Sequence, residues 1–192
     1  MGVLVLVSRN EALELLKKYV RDEKIIKHCL AVEAIMRGLA ERLGEDAELW
    51  GLVGLLHDVD YDYVERDMRR HGLEAYNILK GLLPEPALQA IAGHNEHNGF
   101  TVVDEYAKKM LHALRASDHA SGLIVATALV MPSRKLEEVK LDSLIRKFKS
   151  KDFARGVNRE RIREVEKLRV KLEEFLEIAL ISMKKIAGEL GL

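Results

Sequence analysis

The chain has 192 residues, of which 48% are hydrophobic and 32% are charged, and its formal net charge is zero. These values suit one domain with a hydrophobic core and exclude both a disordered chain and a uniformly basic nucleic-acid-binding protein. The charge is uneven, however: residues 1–133 hold 15 basic and 20 acidic side chains, whereas residues 134–171 hold 14 basic and 7 acidic ones.

The cysteine content and the N-terminal segment indicate the compartment. A single cysteine, Cys29, excludes a disulfide framework and predicts a cytoplasmic location. The apolar run at residues 1–7 is too short to span a bilayer and no basic residue precedes it, so we expect neither an anchor nor a signal peptide. The scarcity of Gln and Asn beside many Glu, Lys and Arg residues is typical of proteins from thermophiles.

Apolar residues recur at helical spacing along nearly the whole chain, and only residues 1–7 are typical of a strand. Ser8 and Glu11 form a capping box that predicts a short helix ending near Tyr19. Further helices are predicted over residues 22–44, 46–57, 67–82, 86–94 and 104–130.

The C-terminal part continues the helical pattern. Shorter pieces are predicted over residues 134–149, and Asn158 is expected to cap a final helix of about thirty residues. The predicted fold is therefore all-α, a single helical domain over residues 1–192 in which residues 134–192 form a basic extension packed on the core. The final helix could also be a dimerisation seam, but packing within its own domain is the preferred interpretation.

Two polar residues with metal-binding side chains lie on apolar helix faces. His28 shares a face with Val32 and Ile35, and Asp118 lies on the same stripe as Leu114. A buried carboxylate without a partner is costly, and a metal ion removes that cost while also binding buried imidazoles. These positions therefore indicate a metal site.

The pair His57-Asp58 closes the most apolar predicted helix of the chain. A His-Asp pair at a helix end can converge on one site, and the carboxylate can reach a second ion. Together with His28 and Asp118 it forms a mixed set of nitrogen and oxygen ligands, which suits Mn, Fe, Co, Zn or Mg.

The order His28, His57-Asp58 and Asp118 on an all-helical chain resembles the HD-domain superfamily of metal-dependent phosphohydrolases. The segments LLHDVDYDYVERDMRRHG, AIAGHNEHNG and ASDHASGLI are similar to a group of predicted HD hydrolases, and the resemblance covers nearly the whole chain. It implies that His28, His57, Asp58 and Asp118 hold a first divalent ion.

In two-metal members of the superfamily, two further histidines bind a second ion beside a bridging aspartate. His71 and His94 lie where those histidines would fall, with Asp58 as the bridge. The resemblance thus implies one or two divalent ions, of Mn, Fe, Co, Ni, Zn or Mg. The Gly-Tyr-Pro loop of cyclic di-GMP phosphodiesterases is missing from the sequence. The Glu-Asp pair of the alarmone hydrolases is replaced by Tyr61-Asp62.

Further residues are predicted to act beside the metal. Asp62 is the first candidate for orienting the attacking water and Glu96 the second candidate for acid–base work, in addition to the role of Asp58. The basic stretch over residues 147–159 is predicted to hold phosphate oxygens. Its candidate substrate-binding residues are Lys149, Lys151 and Arg155.

The leading interpretation is a metal-dependent phosphohydrolase that acts on a nucleotide or another small phosphate ester through a metal-activated water. Two alternatives stay open: a di-iron oxygenase, since some enzymes that resemble this ligand order use iron and oxygen, and a non-catalytic metal-stabilised module that binds a nucleotide or a protein. No motif that reads nucleic-acid bases is present, no membrane partner is expected, and a homo-oligomer is compatible with the sequence.

Overall fold

The computed structural model describes residues 7–192, so the strand predicted at residues 1–7 lies, except for Val7, outside the described residues. Within them every regular element is a helix, apart from one isolated bridge between Lys80 and Leu83. The predicted all-α fold class is confirmed. No helix among residues 7–192 is long and apolar enough to cross a membrane.

The first two thirds of the chain form six α-helices: α1 (Arg9–Tyr19), α2 (Glu23–Leu43), α3 (Ala47–Leu56), α4 (Leu73–Leu79), α5 (Glu85–His94) and α6 (Glu105–Leu129). The C-terminal part adds α7 (Leu141–Lys149), α8 (Arg159–Arg163), α9 (Leu172–Lys185) and α10 (Ala187–Leu190). Short 3₁₀ helices lie at Glu96–Asn98, Leu136–Glu138 and Glu164–Leu168.

Local capping explains most of the helix starts. Ser8 forms the predicted capping box at α1, and the carboxylates of Asp22, Asp46 and Asp104 accept backbone N–H groups in the first turns of α2, α3 and α6. Such caps satisfy donors that the first turn of a helix leaves free. Gly44 ends α2 in the left-handed region with a φ of 68°.

The helix predicted over residues 67–82 is shorter than expected, because it begins only at Leu73. Gly72, with a φ of 88°, precedes it and donates its N–H to the buried carboxylate of Asp60 at 2.7 Å. The chain between α3 and α4 therefore turns around Asp60 instead of forming a helix.

The prediction of a single C-terminal helix of about thirty residues is wrong. Asn158 caps a helix as predicted, but α8 runs only to Arg163, and a 3₁₀ segment follows it. Arg169 then adopts a left-handed φ of 62° before α9 begins. The break lets Glu164–Leu168 pack on α6 while α9 packs on α2, so one apolar stripe covers two different helices.

Helix α2 occupies the centre of the fold and packs against α3, α6 and α9. Helix α3 approaches it closely at Gly54, where a Cβ would lie 2.9 Å from the Cα of Glu33. The hydrophobic core also includes Ile162, Phe175 and Met183 of the C-terminal part. The ends of α3 and α5 and the middle of α6 meet beside the N-terminal half of α2, and this is where the histidines and aspartates gather.

Candidate metal centre

Three histidines, of which His57 and His71 are buried and His94 is partly buried, present the same ring nitrogen to one point. His57 Nδ1 donates to the carbonyl oxygen of Gly54 at 2.8 Å, and His94 Nδ1 donates to that of Ile91 at 2.6 Å. His71 Nδ1 lies 2.8 Å from a carboxylate oxygen of Asp60. Partners of this kind fix the tautomer of a metal-binding histidine and leave Nε2 free as the ligand atom.

The Asp58 carboxylate lies where the three Nε2 atoms converge. Its Oδ1 is 3.4 Å from His57 Nε2, 3.3 Å from His71 Nε2 and 3.4 Å from His94 Nε2. Its Oδ2 is 3.9 Å from His28 Nε2. Asp58 therefore faces four imidazoles with its two oxygens.

His28 and Asp118 form the more open side of the group. His28 Nε2 lies 3.1 Å from Asp118 Oδ1, and the two side chains are 29% and 28% exposed. The hydroxyl of Ser121 donates to the Asp118 carbonyl oxygen at 2.7 Å and lies 3.2 Å from His28 Nδ1. Ser121 thus orients the His28 ring toward Asp118 and Asp58.

The ligand atoms form two groups that share Asp58. The first contains His28, His57 and Asp58, the second contains Asp58, His71 and His94, and within each group the atoms lie within 4.8 Å of one another. Asp118 joins the first group through His28. The structure thus brings together all six residues that the sequence analysis proposed as metal ligands.

Two details of this geometry fit a bound cation. His57 Nε2 is buried and has no hydrogen-bond partner among the described residues. The Nε2 atoms of His71 and His94 lie 3.0 Å apart, and two imidazole lone pairs at that distance repel each other unless a proton or a cation lies between them. Buried polar groups normally have partners, and one cation in each ligand group would satisfy all three nitrogens.

The protonation of His57 and of the two carboxylates also suits a cation. Burial lowers the pKa of His71, but the hydrogen bonds and charges of Asp58 and Asp60 outweigh this effect and raise the pKa to about 9, so this ring must release a proton to bind a cation. Burial lowers the pKa of His57 to about 4, so its imidazole is neutral at pH 7. Burial raises the pKa of Asp118, but the hydrogen bond and the charge of His28 outweigh this effect and lower it to about 2. The imidazoles around Asp58 likewise hold its pKa well below the ordinary value despite burial. Both carboxylates are therefore ionised at neutral pH.

A cavity of about 380 Å³ opens beside these side chains. Asp58, His71, His94 and Asp118 line one part of it. The remaining wall includes Tyr61, Met68, Glu96, Arg115, Asn158 and Arg161. Its size lies in the range of about 300–1,000 Å³ that is usual for small-molecule sites.

A model of the HD domain family matches residues 25–127, which is more than half of the chain. The chain belongs to the HD-domain family. This membership places it in the superfamily of metal-dependent phosphohydrolases and confirms the resemblance seen in the sequence. Among curated proteins and solved structures, none matches the chain significantly.

The HD domain match contains all six candidate ligands and also Asp60, which the sequence analysis missed. Asp60 is completely buried and accepts hydrogen bonds from the backbone of Gly72 and Ala75 as well as facing His71. It supports the candidate ligand His71 and lies outside both ligand groups. The pattern of the acidic run HDVDYDYVERD does not distinguish Asp60, which is buried, from its solvated neighbours.

The three candidate substrate-binding residues are not at the cavity. Lys149, Lys151 and Arg155 are exposed, and none lines it. Their loop is folded on itself instead, because the guanidinium of Arg159 donates to several backbone carbonyls between residues 148 and 157. No basic side chain of residues 147–159 lines the cavity, so the expected position of this stretch at the phosphate is not seen; of its residues only Asn158 reaches the cavity.

The arginines that do line the cavity are Arg115 and Arg161. Arg115 Nη2 donates to the carbonyl oxygen of Gly93 at 2.6 Å, which holds its positive charge beside the end of α5. Arg161 lies on α8, beyond the HD domain match. Nothing in the sequence shows that α8 crosses the cavity or separates Arg161 from the other charges of its segment.

The two candidate acid–base residues lie in different places. Asp62 Oδ2 accepts the backbone N–H groups of Arg21 and Asp22 at 2.8 and 3.1 Å, and Asp62 does not line the cavity. It connects the turn after α3 to the link between α1 and α2, which corrects its expected position beside the metal. Glu96 does line the cavity, where its carboxylate pairs with Arg161.

Proposed function

We propose that the protein is a metal-dependent phosphohydrolase that acts on a nucleotide or another small phosphate ester. The observation that carries this proposal is the position of Asp58, which belongs to both ligand groups and lies within 3.4 Å of three imidazole nitrogens. Divalent cations, when bound there, would polarise a phosphoryl oxygen and lower the pKa of water so that hydroxide forms near neutral pH.

Two kinds of side chain would hold those cations, one fixed and little exposed and the other partly exposed. The side chains of His57, His71 and His94 are at most 7% exposed and are fixed by their Nδ1 partners, so their rings need not reorient to bind. His28 and Asp118 are partly exposed and border the approach for substrate. Preorganised ligands on the buried side and accessible ones on the open side are what a hydrolytic metal site requires.

The other parts of the cavity favour a small anionic substrate. Arg115 contributes a fixed positive charge beside His94, which attracts phosphate. Tyr61 and Met68 add a less polar surface on which a nucleoside base can rest. A volume of about 380 Å³ suits a nucleotide or a similar ester rather than a polymer.

The first experiment measures metal content per chain by elemental analysis of protein purified without chelator and without a His-tag. About two ions per chain are expected from the two ligand groups, and one ion would restrict the site to His28, His57, Asp58 and Asp118.

Hydrolysis of p-nitrophenyl phosphate and of nucleoside monophosphates is then measured with Mn, Co or Ni. Replacement Asp58→Asn should abolish turnover. Protein that binds no metal after reconstitution would overturn the proposal.

A di-iron oxygenase is a second candidate, because the same observation, two ligand groups joined by one carboxylate and rich in imidazole, also suits a pair of iron ions. The two functions differ in their need for oxygen. A hydrolase works anaerobically with Mn or Co, whereas an oxygenase consumes O₂ and works only with iron. Anaerobic release of phosphate would decide for the hydrolase.

A further inference from the structure

Arg161 is the residue through which the C-terminal part of the chain reaches the metal cavity. It lies on α8, beyond the segment matched by the HD domain, and lines the same cavity as Asp58 and Asp118. Its guanidinium contacts two carboxylates with different atoms: Nη1 contacts Glu164 and Nη2 contacts Glu96.

The contact with Glu164 is structural. The Glu164 side chain is only 7% exposed, and its other oxygen accepts from His112 Nδ1 at 2.6 Å. Arg115 Nη1 lies 3.9 Å from the same carboxylate. Glu164 is thus held by α6 and fixes the Nη1 side of Arg161 against the wall of the cavity.

The contact with Glu96 is of another kind. The Glu96 side chain is 53% exposed and lies on the one-turn segment Glu96–Asn98. Among the described residues its carboxylate has no charged partner other than Arg161. Because water can solvate the exposed Glu96 carboxylate once it leaves Arg161, this contact can be exchanged at small cost.

We propose that Arg161 binds a phosphate group of the substrate and that Glu96 occupies the same guanidinium when substrate is absent. The inference rests on the proposed function, since it names the group that recognises the substrate's phosphate. A phosphate monoester is a dianion with three acceptor oxygens, and a guanidinium pairs well with such a group. The dianion carries more negative charge than the Glu96 carboxylate and therefore displaces it. A phosphodiester is a monoanion, so its charge is no larger than that of Glu96 and it has no such advantage. The site therefore selects phosphomonoesters over diesters.

The test measures the binding of inorganic phosphate at pH 8 to the full chain by isothermal titration calorimetry. Glu96→Gln should tighten binding about fivefold or more because the competing carboxylate is lost, and Arg161→Gln should weaken it about tenfold because a charge-assisted contact is lost. The matched controls are Arg163→Gln and Glu166→Gln, which disrupt an exposed pair on the same segment that does not line the cavity. They should change affinity less than about twofold.

Arg161→Lys and a melting curve for each variant show whether weaker binding reflects a lost contact or a lost fold. Glu96→Gln leaves Arg161 and its support by Glu164 intact, so it tests the proposal even if Arg161→Gln does not fold. Binding that is unchanged or weaker in Glu96→Gln, or absent from both this variant and the wild-type protein, would overturn the inference.

Kinetics separate this inference from the proposed function. In the metal-loaded protein, Arg161→Gln should raise KM for p-nitrophenyl phosphate and leave KM for bis(p-nitrophenyl) phosphate nearly unchanged. If the protein binds phosphate in the expected order but hydrolyses no ester, the proposed function fails and the role of Arg161 as an anion-binding residue stands. If it hydrolyses esters and neither variant changes KM, the role of Arg161 fails alone.

Discussion

Asp60 supplies no atom to either ligand group, yet it is completely buried and holds three donors at once. It fixes the ring of His71 through Nδ1 and the backbone at the start of α4 through Gly72 and Ala75. Carboxylates in this position raise the basicity of a histidine ligand and fix its orientation. A single residue thus joins the local fold to the metal centre.

The replacement Asp60→Asn should therefore weaken both metal binding and the stability of the fold. An amide offers one acceptor oxygen, and its NH₂ group faces backbone donors. We expect metal affinity to fall about 10–100-fold and the metal-free protein to lose about 1–3 kcal/mol of stability. Metal titration and thermal melting measure the two effects. Asp67→Asn, an exposed carboxylate of the same loop, is the control, and an Asp60→Asn protein with wild-type metal affinity would contradict this role.

Asp62 has the opposite relation to the site. Its carboxylate accepts two backbone N–H groups between α1 and α2 and does not line the cavity. Asp62→Asn should retain hydrolysis of p-nitrophenyl phosphate within about threefold and lower the melting temperature, because it loses a charged acceptor worth about 1–3 kcal/mol. A large fall in kcat at an unchanged melting temperature would instead restore the acid–base role expected from the sequence.

The grouping of the candidate ligands could be predicted because their side chains are costly to bury without a partner, and their order along helices is itself informative. His28 and Asp118 lie on apolar stripes, and His57-Asp58 ends the most apolar helix. Asp60 and Arg161 carry no such signal, since each looks like one more charge in a charged stretch. Their roles depend on how distant segments meet, which a helical period does not encode.

At the scale of elements, the close contact of α2 with α3 sets the distance between His28 and His57. Gly54 makes this contact, because a Cβ there would lie 2.9 Å from the Cα and N of Glu33 and from the carbonyl oxygen of Val32. These are backbone atoms, which cannot move aside as a flexible side chain does. The two helices would have to separate to accept even a methyl group.

Gly54→Ala should accordingly destabilise the protein by about 1–3 kcal/mol, the usual cost of overpacking. It should also weaken metal binding, because α3 carries His57 away from His28 on α2. The control is Gly188→Ala on α10, where no atom lies within 4 Å of the added Cβ and alanine is the better helix former. Denaturant unfolding and metal titration measure both effects, and a Gly54→Ala protein as stable as Gly188→Ala would contradict the argument.

Some helix boundaries are set by local capping residues and others by contacts with distant segments. Helices α1, α2 and α6 begin and end where capping residues predict, because caps act within one turn. The late start of α4 and the break at Arg169 follow from contacts with Asp60 and with two separate helices. Tertiary packing here overrides the helical propensity of the segment.

At the scale of the whole molecule, the uneven charge of the sequence has a structural counterpart. Arg161 of the basic segment over residues 134–171 reaches Glu96 of the acidic part. Glu164 of the same segment pairs with His112 in the middle of α6. The C-terminal part is thus joined to the HD domain by a small network of charges beside the cavity as well as by its apolar side chains.

This network makes stability depend on pH in a defined direction. Burial raises the pKa of Glu164, but the hydrogen bonds from His112 and Arg161 outweigh it and lower the pKa from the ordinary 4.5 to about 2. A carboxyl whose pKa is lower in the folded than in the unfolded state stabilises the fold above the unfolded value. That contribution is lost as the pH falls from about 4.5 toward 2.

The replacement Glu164→Gln removes this contribution and so isolates it. Unfolding free energies of chelator-treated wild-type and Glu164→Gln protein, measured by denaturant titration, should differ most at pH 6 and progressively less below about pH 4.5. Chelation excludes metal release as the source of the trend. Glu166→Gln, which alters an exposed pair, should show a small difference at every pH. A gap between wild type and Glu164→Gln that stays constant from pH 6 to pH 3 would mean that Glu164 is not held ionised by His112 and Arg161.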